Sequence, residues 1–244
     1  MTNKYYSGQS LLSLMLTIFL TSLLIFSLSY FYVQVQRQNQ SMMQKLKLQS
    51  ELQRVLQLMA KDLRRAGFRA QSDKLQSSNF NLFEQDEQGT SVKISQADGQ
   101  PQNSCILFFY DLNLNGCIGE KYDKNFCQKR GQNVAKKIES ELFGYKVENK
   151  LLKTKKTYKS AVNSYCILSE CQRYLQQSAC NSGSGWTNLL DKNEIEIDVL
   201  KFNWVTSRSG LQTGIEIRLT GYLKRHKEIT YETQILVPLL NQGA

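Results

Sequence analysis

Apolar residues dominate one uninterrupted stretch near the start of the chain. Residues 5–36 carry no charged side chain, and residues 11–33 are nearly all Leu, Ile, Phe, Met, Tyr, Ser and Thr, without Gly or Pro. About 20 apolar residues in a helix cross the roughly 30 Å hydrocarbon core of a bilayer. A secretory signal peptide has a shorter apolar region than this one and ends at a small-residue cleavage site. No such site follows residue 33. The pattern therefore predicts a membrane-spanning helix that the mature protein retains.

The apolar positions then change to a helical spacing. Between residues 35 and 66 they recur mostly three or four apart, with charged residues between them. They are Met42, Leu46, Leu52, Val55, Leu56, Met59, Leu63 and Ala66. No Gly or Pro interrupts residues 9–66, so we expect one helix, about 85 Å long at about 1.5 Å per residue. It would have a membrane half (9–36), an amphipathic half (37–66) whose stripe faces a sheet, and Gly67 after its end.

A period of two characterises the last part of the chain. Polar and apolar residues alternate over 194–202 and 214–223, and a third strand-like run covers 229–237. One polar and one apolar face suit antiparallel strands whose sheet is covered on one side, here by the long helix. The part after the span has two prolines, at 101 and 238, and no linker or repeat. The sequence therefore predicts an α+β architecture with one head domain, residues 67–244.

The residues before the apolar stretch form a short polar leader. It contains Lys4 and ends in Gly8, after which Gln9 opens the helical segment. This junction resembles that of type IV prepilins, in which a prepilin peptidase cuts after the glycine on the cytoplasmic side and methylates the new amino terminus. The resemblance implies a leader of residues 1–8. That family usually has Phe and Glu where this chain has Gln9 and Ser13, so an ordinary single-pass anchor is the alternative.

Four later segments extend the resemblance. Residues 63–68, Leu-Arg-Arg-Ala-Gly-Phe, resemble the end of the first helix in PilW-type minor pilins. Residues 105–116, residues 143–151, and Cys180 together with residues 185–189 resemble segments of the prepilin peptidase-dependent protein B family. The chain is thereby identified as a member of the PilW and pseudopilin J class of minor pilins. Within this class it most resembles the prepilin peptidase-dependent protein B family.

The resemblance implies a pilin-like fold, in which a long N-terminal helix packs on an antiparallel head with disulfides. It also implies a role in pilus assembly, with other minor pilins, the major pilin, the prepilin peptidase and the inner membrane as partners. The protein would cross the bacterial inner membrane once, with its C-terminal head in the periplasm, and reach the cell surface in the assembled pilus. Flanking charges give no help with this orientation, because Lys4 opposes Arg37, Lys45 and Lys47 across the span.

All six cysteines lie after the predicted span. An even set confined to the head indicates structural disulfides in an oxidising compartment, which in bacteria is the periplasm. The spacings have no convincing zinc pattern, and the one histidine, His226, lies far along the chain. Six cysteines allow fifteen pairings. The family-like segments favour Cys105 with Cys180. Local loops would then be closed by the pairs Cys117 with Cys127 and Cys166 with Cys171.

Residues 111–116 have oxygen ligands at the spacing of the first half of an EF-hand calcium loop. Asp111, Asn113 and Asn115 are followed by Gly116, which permits the sharp turn. The second half departs from the pattern, because residue 122 is a tyrosine where a bidentate Glu is required, although residues 120 and 123 are acidic. The alternative is an Asn-Gly turn that joins two strands. No other cofactor is expected.

Basic residues concentrate between residues 121 and 159. This stretch has 12 Lys or Arg and 4 Asp or Glu, so it holds most of the chain's net charge of +10. Such a patch can bind phosphate backbones without sequence preference, and interleaved tyrosines can stack on bases. The alternatives are an ordinary solvated surface and a contact with an acidic pilin neighbour. The candidate DNA-binding residues are Lys136, Lys137, Lys153, Lys155 and Lys156.

Three functional hypotheses follow, and none is enzymatic, because a nucleophile and base would depend on His226. The leading one is a minor pilin that primes a type IV pilus or pseudopilus. Ser13 favours a place at the tip, since a first subunit has no preceding amino terminus for a glutamate to neutralise; the alternative is that Ser13 and Thr17 replace the glutamate with weaker hydrogen bonds. The second hypothesis is a tip subunit that binds DNA in a competence pilus. The third is a single-pass adaptor unrelated to pili.

Overall fold

A single helix forms the first element of the structure. The computed structural model describes residues 11–71, 75–86, 88–120, 125–155, 165–181, 185–208 and 210–241. Helix α1 is Leu11–Leu63. Residues 9 and 10, where the predicted helix begins, lie outside the described residues. The predicted end at Ala66 is three residues too long, because residues 64–67 form a turn in which Ala66 N–H donates to Leu63 O at 3.1 Å.

Gly67 directs the chain away from the end of α1. Its φ is +78°, and its N–H donates to Phe109 O at 2.9 Å. A Cβ at this position would lie 2.5 Å from Asn241 O. The Asn241 amide in turn donates to Arg64 O at 3.1 Å, which satisfies one of the open carbonyls at the helix end. Gly67 is therefore required both by its left-handed backbone and by the close approach of the C-terminal segment.

One face of α1 is buried only in its later part. The chain divides into two compact units, Met1–Leu46 and Lys47–Ala244. The predicted stripe is wrong at Met42 and Leu46, whose residues are 62% and 46% exposed. Both residues belong to the first unit, in which α1 is the only element described, so no other described element covers them. The helical spacing predicts a covered face but cannot show what covers it. The buried positions are Leu48, Leu52, Val55, Leu56, Met59, Ala60, Leu63 and Ala66.

Ten strands follow within the described residues. They are β1 Val92–Ser95, β2 Cys105–Phe109, β3 Gln128–Lys129, β4 Gln132–Asn133, β5 Leu142–Glu148, β6 Leu151–Lys155, β7 Trp186–Asn188, β8 Ile195–Thr206, β9 Gln212–Leu223 and β10 His226–Pro238. Five of them form a sheet in the order β1-β2-β5-β6-β7, and three form a sheet in the order β10-β9-β8. Every pairing between these ten strands is antiparallel, including the small β3-β4 ribbon.

The three-stranded sheet is the part that the period of two predicts. Strands β8, β9 and β10 correspond to the predicted runs 194–202, 214–223 and 229–237, each longer than predicted. Phe202 pairs with Ile217, and Ile217 pairs with Ile235. These residues share the face that packs with α1 in one apolar core. The α+β architecture with a long N-terminal helix is confirmed.

Strand β2 lies between two cores. Ile106 and Phe108 belong to the core shared with α1, whereas Cys105, Leu107 and Phe109 belong to a second core on the opposite face of the five-stranded sheet. All five residues are buried. The strand is therefore a continuous apolar run without visible alternation, as expected for a strand covered on both faces.

Disulfides tie down the second core. Helix α2 is Leu168–Cys171 and helix α3 is Gln177–Asn181. The bond Cys105–Cys180 joins β2 to α3, and the other two bonds close shorter loops. The three bonds are Cys105–Cys180, which the family-like segments favour, and the two local pairs expected with it, Cys117–Cys127 and Cys166–Cys171.

Candidate functional site

The early part of α1 exposes a large apolar surface. Among the described residues, α1 is the one helix that is long and apolar enough to cross a membrane, as judged from length and composition. Its large side chains are exposed from Leu11, at 77%, to Val33, at 47%. Contiguous apolar exposure on this scale indicates a surface that contacts lipid or another protein. The helix is thus compatible with a single-pass membrane anchor.

Hydroxyl groups in this segment bond to the helix backbone. Thr17 Oγ1 donates to Leu14 O at 2.9 Å, and Thr21 Oγ1 donates to Thr17 O at 2.9 Å. Such bonds satisfy a hydroxyl group within an apolar environment. Gly8 and Gln9, the predicted cleavage junction, lie outside the described residues. Cleavage there stays a prediction.

Two buried carboxylates organise the loop after β2. Asp111 Oδ2 accepts from Gly116 N–H at 2.7 Å and from Ala70 N–H at 3.1 Å, and its Oδ1 accepts from Asn115 N–H at 3.1 Å. Glu141 accepts three further N–H groups, at residues 112, 113 and 119. Each carboxylate residue is only 1% exposed. The side chains therefore take the place of a regular hydrogen-bond ladder in this loop.

The candidate calcium ligands shape this loop through hydrogen bonds, and calcium binding there stays a prediction. The oxygens that would bind the cation already accept backbone N–H groups: Asn113 Oδ1 accepts from Asn115 N–H, and Asn115 Oδ1 accepts from Cys117 N–H. Glu120 pairs with Lys137 at 2.7 Å, and residue 123 lies outside the described residues. In the described part of the chain, no group of three His, Cys, Asp or Glu side chains is placed to hold a metal ion, but a calcium loop also uses Asn and backbone oxygens. The loop also does not join two paired strands, because β3 pairs with β4 and not with β2.

The carboxyl group of Glu141 is a weaker acid than an ordinary glutamate side chain. Burial raises the pKa of its carboxyl to about 7, and the nearby Asp111 adds to this effect, while the N–H donors at residues 112, 113 and 119 oppose it. In the folded protein the carboxyl therefore takes up its proton near neutral pH.

Most of the predicted DNA-binding lysines already have partners or are buried. Lys137 pairs with Glu120 at 2.7 Å, and Lys153 pairs with Glu148 at 2.6 Å. Lys155 is only 6% exposed. Lys136 is exposed and its backbone bridges to that of Glu120, while residue 156 lies outside the described residues.

Several of the described basic residues are therefore neutralised or buried within the chain. Lys146, a further member of the basic stretch, is 3% exposed, donates to Cys180 O at 2.7 Å and lies 4.7 Å from the centre of the Trp186 ring. Lys150 lies near Glu196, at 3.9 Å. Charges neutralised within the chain are not available to a nucleic acid. Among the described residues, the geometry gives the DNA hypothesis no support.

Comparison with known proteins identifies the family. A family model described as prepilin peptidase-dependent protein B matches residues 41–239. The chain belongs to this family. An uncharacterised protein of Haemophilus influenzae is 56% identical over 197 residues, which is 81% of each chain. No solved structure matches.

Membership of the prepilin peptidase-dependent protein B family indicates a structural, pilus-related protein. The matched range includes the motif at residues 63–68 and all six cysteines. It includes neither the predicted junction at residues 8 and 9 nor any of the apolar residues 11–33.

Sequence reasoning missed several buried polar residues of this family member. Tyr145 O–H donates to Asp62 Oδ2 at 2.5 Å, and burial together with that carboxylate raises the pKa of the tyrosine. Asp62 lies next to the buried Leu63, so its position near the apolar stripe was a usable signal. Glu141 and Lys146 gave no such signal. The backbone groups that donate to Glu141, and the carbonyl that accepts from Lys146, come from distant parts of the chain.

The raised pKa of Glu141 predicts a pH-dependent stability. Its folded value of about 7 lies above the ordinary 4.5, so the folded state holds a proton that the unfolded state releases in this window. The contribution of this group is therefore largest below pH 4.5 and is lost as pH rises through 7. We expect Glu141→Gln, which mimics the neutral carboxyl, to become more stable relative to wild type at high pH. Urea unfolding of the purified protein on either side of this window measures the difference.

The control for this experiment is Glu232→Gln, at an exposed carboxylate on β10 whose charged neighbour, Arg218, does not titrate in this window. Its stability relative to wild type should change little with pH. A constant difference between Glu141→Gln and wild type across the window would contradict the assignment.

Proposed function

We propose that this protein is a minor pilin that primes assembly of a type IV pilus or pseudopilus and lies at its tip. The family match over residues 41–239 carries this proposal, since the family is one that depends on prepilin peptidase. The long apolar α1 and the glycine at the end of a short basic leader support it.

The proposed location is the bacterial inner membrane, with the head in the periplasm. The six cysteines support this topology, because all of them form disulfides within the head and disulfides persist in oxidising compartments. Before assembly, lipid covers the exposed apolar side chains of residues 11–33. After assembly, the helices of other minor pilins and of the major pilin cover them.

Processing at Gly8 is the most direct test of the pilin assignment. Mass spectrometry of the protein from wild-type cells should give an amino terminus at Gln9, carrying one added methyl group. Loss of the prepilin peptidase, or Gly8→Arg, should leave the leader of residues 1–8 in place, because the peptidase requires the glycine. Ser7→Ala is the matched control and should be processed normally. A wild-type protein that keeps Met1 would contradict the assignment.

The tip placement rests on Ser13. In the pilin family that this chain resembles, a glutamate at this position neutralises the amino terminus of the preceding subunit, and an unpaired charge among packed helices is costly. The membrane segment of this chain has no such carboxylate, since residues 5–36 carry no charge. A subunit that is first in the filament needs none.

Immunogold labelling against the head tests the tip placement. Labels should occur at filament ends and be absent from shafts. Ser13→Glu should leave pilus number unchanged or reduce it slightly, because the added carboxylate has no amine to pair with, and Ser13→Ala should have no effect. Labels along the shaft, or more pili with Ser13→Glu, would contradict the placement.

A further inference from the structure

A cavity lies between the end of β6 and the segment that carries α2 and α3. Its volume is about 570 Å³, within the range of small-ligand pockets. The Cys166–Cys171 disulfide holds one wall, to which Cys166 contributes directly. The polar residues that line it include Lys155, Arg173, Glu139 and Glu170. The predicted processing, membrane insertion and tip placement make no use of this cavity.

Lys155 is the buried basic residue of the cavity. It ends β6, pairs with Gly144 on one side and Trp186 on the other, and is only 6% exposed. Burial lowers the pKa of its ammonium group, while the charge of Glu139 opposes this effect. Among the described residues, the Lys155 ammonium forms no ion pair within 4.0 Å and no hydrogen bond. A buried ammonium without an acceptor is unfavourable, so a ligand that supplies one gains from binding here.

A second buried donor lies beside Lys155. The Trp186 indole Nε1–H is buried and has no hydrogen-bond partner. Its ring is seated against Gly144, where a Cβ would lie 3.2 Å from the Trp186 Cη2 atom. Lys155 and Trp186 are cross-strand partners, so their side chains leave the sheet on the same face. Unsatisfied buried donors are rare in proteins. Lys155 lines the cavity, whereas Trp186 is its neighbour in the sheet and does not line the cavity, so Lys155 is the donor that a ligand in the cavity would reach.

The acidic residues of the cavity define the ligand further. Glu170 accepts from Ile167 N–H at 3.2 Å, so part of its charge is used within the chain. Glu139 provides a counter-charge near Lys155. Two basic and two acidic residues together suit a ligand with a single negative group and not a polyanion such as nucleic acid.

We propose that this cavity binds a carboxylate group, with Lys155 Nζ as the principal donor and Arg173 at its entrance. A carboxylate accepts charge-assisted hydrogen bonds from an ammonium and from a guanidinium. The volume admits a group about as large as one to three amino-acid residues. The carboxylate comes either from a Glu or Asp side chain of a partner protein or from a free small acid.

Tryptophan fluorescence of the full chain in detergent tests this site. The chain has two tryptophans, so Trp204→Phe leaves Trp186 as the reporter. The probes are N-acetylalanine and the peptide acetyl-Ala-Glu-Ala-amide, each compared with its neutral counterpart, N-acetylalanine amide and acetyl-Ala-Gln-Ala-amide. We expect saturable quenching by at least one acid and none by its neutral counterpart. Binding of the Glu peptide alone identifies a protein side chain as the source, and binding of N-acetylalanine alone identifies a free acid.

Variants separate Lys155 from its neighbours. Lys155→Met keeps the length of the side chain and should weaken binding about tenfold or more, as expected for the loss of a charge-assisted hydrogen bond. Lys153→Met is the matched control on the same strand, because Lys153 pairs with Glu148, and it should bind like the parent. Equal quenching by an acid and its neutral counterpart would overturn the proposal without any variant. Unchanged binding in Lys155→Met would also overturn it. Neither result bears on cleavage at Gly8, so this proposal and the pilin assignment fail separately.

Discussion

The packing of the later half of α1 beneath both sheets is the interaction on which the head depends. The three-stranded sheet has one apolar face, and the inner face of the five-stranded sheet is also apolar. Neither sheet can bury its apolar face alone. The stripe from Leu48 to Leu63 covers both faces in one core. Gly67 and Asn241 then hold the end of the helix against β2 and the C-terminal segment. The helix thereby connects the apolar segment to the folded head through one continuous element.

The opposite face of the five-stranded sheet is stabilised differently. Among the described residues, short helices and loops cover this face. Three disulfides and the buried carboxylates of Asp111 and Glu141 hold them in place. Disulfides stabilise such segments mainly by restricting the unfolded chain. The same construction leaves a cavity at the edge of the sheet, lined by Lys155, whose ammonium lacks an acceptor among the described residues.

Local patterns predicted the parts of the fold that have one covered face. The alternation in β8, β9 and β10 is visible in the sequence because polar residues occupy the open face of their sheet. Strand β2 shows no alternation, because both of its faces are covered by apolar cores. Helical spacing identified the face of α1 but could not tell that Met42 lacks a cover. Charge counting likewise identified the basic stretch but not the acidic partners of Lys137 and Lys153. The burial of Glu141 and Lys155 results from contacts with residues far along the chain, and a local sequence pattern does not contain that information.

The α1 stripe joins the two sheets into one cooperative unit. Trp186 lies in the five-stranded sheet and Trp204 in the three-stranded sheet, so single-tryptophan variants report each sheet separately during urea unfolding. Leu52, which packs near Gly221 of β9, is the residue to truncate. Leu52→Ala should lower the unfolding free energy seen by both tryptophans equally, by about 2–5 kcal/mol, and the exposed Met42→Ala should change neither. A loss confined to the Trp204 signal, or equal effects of the two substitutions, would contradict the account.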